Sequence, residues 1–252
     1  MGAFLNDPSF VNAHLAPLPF KFQGHGGKRV TIHTQSGIES KCYYVPPAAG
    51  VTTAVVMVHE WWGLNDYIKR EAFRLHDATG YGVFAMDLYG GQVATTPQEA
   101  GKLMGAVKEA DAKVVITNVL YMLETGQLGP TFTKIGTIGW CFGGGWSLQT
   151  AIAGGDKVKA CVMFYGMPDD KPEDLQRLQA PVLMVEAMKD KWISPTVVGE
   201  FRKSMRENHR SLTVRTYNED HAFANPSNPH YSKADADDAM DATLRFFKDH
   251  LG

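Results

Sequence analysis

The chain has 252 residues, of which 44% are hydrophobic and 21% charged, with a net charge of −2. That length and composition suit one α/β domain with a large core, and the near-neutral charge gives no electrostatic footprint for nucleic acid or an anionic membrane. No apolar run reaches the roughly 20 residues needed to span a bilayer, and three cysteines with no CxxC argue against a disulfide framework or a structural zinc site.

Residues 1–28 are rich in Pro and Gly and weakly periodic, and are read as an N-terminal arm lying over the domain. The first twenty residues lack the basic start and continuous apolar core of a signal peptide. A cytoplasmic location is expected, although a leader removed beforehand would leave the same start. "GHGGK" (Gly24 to Lys28) is read as a plain turn. "KRVTIHT" and "KCYYVPP" alternate around Ser36-Gly37 and predict a hairpin at the sheet edge. "TTAVVMVH" is a continuous β-branched run, as a strand buried on both faces requires. Asn65 or Asp66 then caps a helix through about Ala78.

"YGVFAMDLYG" predicts a second buried strand, and Thr96-Pro97-Gln98-Glu99 a capping-box start for a helix or helix pair through about Leu123. "KIGTIGW", "VKACVMFYG" and "APVLMVEA" predict three more buried strands. Ser194-Pro195 opens a helix through about Glu207, "SLTVRTYN" is a strand, and the last helix runs from about Lys233 to Asp249. Strands and helices alternate throughout, so residues 29–252 are expected to form one domain with a mostly parallel sheet covered by helices on both faces.

In such a sheet the working groups lie at the carboxyl ends of the strands. After "KIGTI" comes Gly139-Trp140-Cys141-Phe142-Gly143, a G-x-nucleophile-x-G elbow with cysteine in the usual serine position. The turn is so tight that its flanking residues must lack a β-carbon, and it stands the thiol above the next helix N-terminus. There the backbone N–H of Phe142 becomes a natural oxyanion donor. A dinucleotide loop competes poorly, because Cys141 occupies the middle-glycine position of that fingerprint. Cys42 and Cys161 fall inside strands and read as inert.

A thiol nucleophile needs a base, and the base an orienting acid, in the chain order nucleophile, acid, histidine. Asp190 follows "APVLMVEA" and His221 follows "LTVRTYN", so they take those roles. Asp87 has the wrong chain order, and Asp169, Asp170, His209 and His230 lie in loops or at a helix end. His14, His25, His33, His76 and His250 read as arm or surface, and His59 as a packing residue. His59-Glu60 is not followed by the spacing of an HExxH motif, so neither a metal site nor a cofactor is expected.

"HEWWGLND", "MDLYGG", "GWCFGGG" and "HAF", in that order, resemble the dienelactone hydrolase family of α/β-hydrolase-fold enzymes from about Arg29 onward. The resemblance implies Cys141 as nucleophile, His221 as base and Asp190 as acid. It implies that Glu60 contacts the resting thiol and helps form the thiolate, and that the N–H of Trp61 is the second oxyanion donor. The family's dienelactone-cleaving members carry two arginines that bind the substrate carboxylate; here those positions are Gly91 and Asn225. A buried carboxylate without a bidentate cation is costly, so the expected substrate is a small neutral or aromatic activated ester or lactone. Trp62, Tyr89, Trp192, Phe223 and Asn225 are expected to line the pocket, with Trp61 adding to an aromatic mouth. Two alternatives stay open: a redox-sensing thiol protein on a hydrolase scaffold, and a true dienelactone hydrolase acting on an anionic lactone. A monomer or homodimer is expected, with a small-molecule substrate and no nucleic-acid or membrane partner.

Overall fold

A computed structural model describes residues 7–24, 26–228 and 230–252. His25, expected on the arm, lies outside them, as do residues 1–6 of that arm. A short helix, α1 (Pro8–Ala13), precedes the hairpin β1 (Lys28–His33) and β2 (Glu39–Val45). There follow β3 (Thr53–Val58), α2 (Asp66–Thr79), β4 (Gly82–Met86) and the pair α3 (Pro97–Ala106) and α4 (Glu109–Glu124). The second half alternates β5 (Lys134–Trp140), α5 (Phe142–Gly154), β6 (Val158–Phe164), the one-turn α6 (Pro172–Leu175), β7 (Val182–Ala187), α7 (Pro195–Glu207), β8 (Leu212–Tyr217) and α8 (Lys233–Leu251).

The eight strands form one sheet in the order β1-β2-β4-β3-β5-β6-β7-β8, with helices on both faces. β1, β2 and β4 pair antiparallel, and every pairing from β4 through β3 to β8 is parallel. Burial explains the residue patterns. β3 and β4 are buried at every position, as their unbroken apolar runs require, whereas β8 at the edge alternates. The helix starts obey their caps. The Asn65 side chain accepts the Ile68 N–H, Thr96 and Glu99 close a capping box, and Ser194 accepts the Val197 N–H ahead of Pro195.

The arm carries a helix that its weak periodicity did not predict. Asp7 caps α1 by accepting the Ser9 N–H, and Pro8 sets the first turn, the same device that starts α7. The chain then runs along α2, where the Phe22 N–H donates to Asp66 and the Tyr67 hydroxyl to the Leu18 carbonyl.

Candidate active site

Cys141 is the single residue between β5 and α5, at φ 53° and ψ −118°. Such a backbone costs a non-glycine residue about 1–3 kcal/mol, and its surroundings hold it there. A β-carbon on Gly139 would lie 2.0 Å from the Gly143 carbonyl oxygen, and one on Gly143 would lie 2.3 Å from that of Val58. The Cys141 N–H is tied to the Phe164 carbonyl at 2.9 Å. Tyr165 just past β6 (φ 36°) and Ala222 beside His221 (φ 63°) share the left-handed region. Three of the four non-glycine residues with positive φ among the described residues thus lie beyond the carboxyl ends of strands, the fourth being His209 after α7.

Cys141 Sγ lies 3.1 Å from His221 Nε2, and His221 Nδ1–H donates to Asp190 Oδ2 at 2.6 Å. The other Asp190 oxygen accepts the N–H groups of Trp192 and Ile193, both at 2.9 Å. Burial alone would raise the Asp190 carboxyl, but the His221 imidazole and those two N–H groups outweigh it and hold the carboxyl low. Burial likewise opposes charge on His221. The sulfur on one side and Asp190 on the other override it and hold the imidazole well above its ordinary value. The sequence-predicted Cys141, His221 and Asp190 therefore meet as one hydrogen-bonded row. Burial pushes the Cys42 and Cys161 thiols up to about 12 and 11.

Phe142 follows Cys141 at the start of α5, and Trp61 packs against Phe10 and His14 of the arm. Among the described residues, neither backbone N–H meets an acceptor, although Trp61 is fully buried and Phe142 nearly so. Buried N–H groups left open in this way are rare. Tyr89 supports the arrangement from behind, its hydroxyl donating to the Trp61 carbonyl. His59 packs as expected: its Nδ1–H donates to the Glu60 carbonyl and its Nε2 accepts the Leu88 N–H.

Glu60 is placed differently from its expected contact with the thiol. Its carboxylate accepts the Asn225 side-chain N–H at 3.0 Å, while the sulfur is engaged by His221. Burial pushes the Glu60 carboxyl up to about 7, against the lowering effect of Asn225 and His221. Asn225 is thus a buried partner of Glu60 rather than a pocket wall, its own oxygen accepting from Ser227. Gly91 sits at φ 84°, where a β-carbon would lie 2.5 Å from the Lys41 side chain. Neither position offers a cation.

The mouth also differs from the aromatic rim that the sequence suggests. Of the five expected lining residues, Trp192 borders the opening beside His221, a cavity of about 280 Å³ shared with His14, Lys189, Lys191, Asp220, Asn228 and His230. Phe223 is fully buried against Tyr165 and Tyr217, and Trp62 packs edge-on to Trp61. Tyr89 packs between His59 and Phe142. Large rings serve as core as readily as wall, and the apolar part of the mouth is filled by the chain's own arm. Phe10 lies 5.1 Å, edge-on, from both Trp61 and Trp192.

His14, read from the sequence as arm or surface, is 4% exposed, stacks on Trp61 at 4.9 Å and lies 5.4 Å from the His221 ring. The row is consequently covered, Cys141 being 7% and His221 8% exposed. The signal that would have shown the arm to be ordered is Asp7-Pro8, a cap followed by a first-turn proline.

Comparison with known proteins places this geometry. A model described as "Dienelactone hydrolase family" matches residues 41–251. "Protein usf" of Aquifex pyrophilus is 30% identical over 86% of this chain and 96% of its own. A protein of Aquifex aeolicus named "Putative carboxymethylenebutenolidase" is also 30% identical, over the same shares. Among solved structures, the "Putative Dienelactone Hydrolase" of Klebsiella pneumoniae superposes with a TM-score of 0.78 at 25% identity, covering 88% of this chain and 98% of that one. These matches settle the family: the chain belongs to the dienelactone hydrolase family and is an ester or lactone hydrolase of the α/β-hydrolase fold.

Proposed function

We propose that the chain cleaves small, neutral or aromatic activated esters or lactones through a thioester on Cys141. The observation that carries this reading is the row from Asp190 through His221 to Cys141, with spacings of 2.6 and 3.1 Å, set on a strained elbow. His221 takes the thiol proton, and the thiolate attacks the carbonyl carbon. The open N–H groups of Trp61 and Phe142 receive the developing oxyanion. The tetrahedral adduct collapses, and protonated His221, steadied by Asp190, gives its proton to the leaving oxygen. A water deprotonated by His221 then attacks the thioester, releasing the acid and restoring the thiol.

The roughly 280 Å³ opening lies at the small end of ligand pockets, which supports a small substrate. Gly91 and Asn225 supply no guanidinium, which supports a neutral one. Glu60, held near neutrality by burial, is suited to exchange a proton during the cycle. The test is turnover of a nitrophenyl acetate by the Cys141→Ala protein together with quenched-flow mass measurement of the parent. Loss of turnover and an acetyl adduct on the peptide containing Cys141 are expected. Undiminished turnover by Cys141→Ala would sink the assignment.

A further inference from the structure

The arm places a third ligating side chain on the catalytic pair. One ring nitrogen of His14, Cys141 Sγ and one ring nitrogen of His221 all lie within 4.8 Å of one another, and all three residues are buried. His14 Nδ1–H donates to the Phe10 carbonyl at 2.7 Å, which leaves Nε2 as the ligating atom. That nitrogen is buried and, among the described residues, has no hydrogen-bond partner, an arrangement that costs about 1–3 kcal/mol unless something fills the gap.

Metal-binding histidines characteristically donate their second N–H to a carboxylate or a backbone carbonyl, which fixes the tautomer and aims the lone pair. Both patterns occur here: His221 donates to Asp190 and His14 to the Phe10 carbonyl. The donor set of two imidazole nitrogens and one thiolate suits zinc. It gives magnesium or calcium none of the oxygen ligands they require.

Tetrahedral bonds of about 2.0–2.3 Å set ligand spacings near ~3.5 Å. Cys141 and His221 are already at 3.1 Å, so only the arm must shift inward, by roughly an ångström. The short arm is anchored by Asp7, which accepts the Trp192 ring N–H at 3.1 Å.

We propose that His14, Cys141 and His221 bind a zinc ion, which clamps the arm over the site and takes the thiol out of catalysis. The Cys141–His221 pair holds one proton between them at rest; coordination by thiolate and neutral imidazole releases it to solvent. The fourth position is left to water. Coordination stands on the ligand geometry alone, while its inhibitory consequence rests on the proposed triad.

The metal-stripped full chain is titrated with zinc by calorimetry in two buffers of different ionisation enthalpy, and cobalt is used as the spectroscopic probe. One ion per chain, release of about one proton and a thiolate-to-cobalt charge-transfer band are expected. His14→Ala should weaken zinc binding by at least roughly 100-fold, and Cys141→Ser should erase the band. Magnesium should produce no heat. Absence of stoichiometric binding, or undiminished affinity in His14→Ala, would overturn the site. Zinc binding that needs all three side chains, in a protein whose turnover ignores Cys141→Ala, would refute the proposed hydrolysis and leave the site standing. Affinity indifferent to His14, in a protein that needs Cys141 for turnover, would do the reverse.

Discussion

Replacing Glu60 by Gln tests the burial argument directly. The side chain sits just past β3, is 7% exposed and meets one strong donor, Asn225. Burial penalises its ionised form and lifts its pKa from 4.5 to about 7. A carboxyl raised in the folded state stabilises the fold below its unfolded value, and that contribution is lost as pH climbs through the folded value. At about 1.4 kcal/mol per pH unit, the gap between 4.5 and about 7 is worth about 3 kcal/mol. The wild type should therefore lose about 3 kcal/mol relative to Glu60→Gln between pH 4 and pH 8. Gln keeps an oxygen for Asn225 and carries no charge to desolvate. For a chain of this size the loss corresponds to about 6–12 °C in melting temperature. Denaturant unfolding of both proteins at half-unit steps across that range measures it. Parallel stability curves would refute the claim that a desolvated carboxylate sits here.

Gly143→Ala would force a β-carbon to 2.3 Å from one backbone oxygen and 2.4 Å from another. Neither can retreat, so a stability loss of about 3 kcal/mol or more is expected in denaturant unfolding, and wild-type stability would show that the elbow is looser than described. Asp190→Asn keeps an oxygen for the Trp192 and Ile193 N–H groups but loses the charge beside His221. Its kcat on nitrophenyl acetate should fall about 10²- to 10⁴-fold with the melting temperature little changed. Phe10→Ala removes the ring wedged between Trp61 and Trp192. Turnover of bulky aryl esters should rise several-fold relative to acetate, and an unchanged ratio would mean that the arm does not limit access.

His221 on the row and His14 above it are perturbed in opposite directions. His221 is pushed up by the sulfur and by Asp190, while His14 is pushed down to about 4, first by burial and then by the charge on His221. The two imidazoles are thus biased in opposite directions, His221 toward holding a proton and His14 toward keeping a free lone pair. The division follows from placement. His221 faces a carboxylate with its second nitrogen, whereas His14 faces only a backbone carbonyl.

What could be read from the chain follows from how local each cause is. The buried strands were legible because a strand covered on both faces needs an unbroken apolar run. The position of Cys141 was legible because only a glycine-flanked corner can carry it. The meeting of Asp190 and His221 was legible because both follow the carboxyl ends of parallel strands. The pairing of Glu60 with Asn225 was not, since it joins residues 165 positions apart through side chains with other plausible partners.

The docking of the arm's helix was hidden for a related reason. Phe10 lies in a six-residue helix and His14 caps its end, and their docking depends on two tryptophans far along the chain. The sequence argument for an aromatic mouth assumed that substrate would cover those rings. Apolar surface in water is covered by whatever reaches it first, and a tethered segment has a higher effective concentration than any free ligand. On the proposed function, a substrate competes with Phe10 for the aromatic wall or enters beside Lys189 and Lys191, so the residues that set its size would include some that precede the first strand.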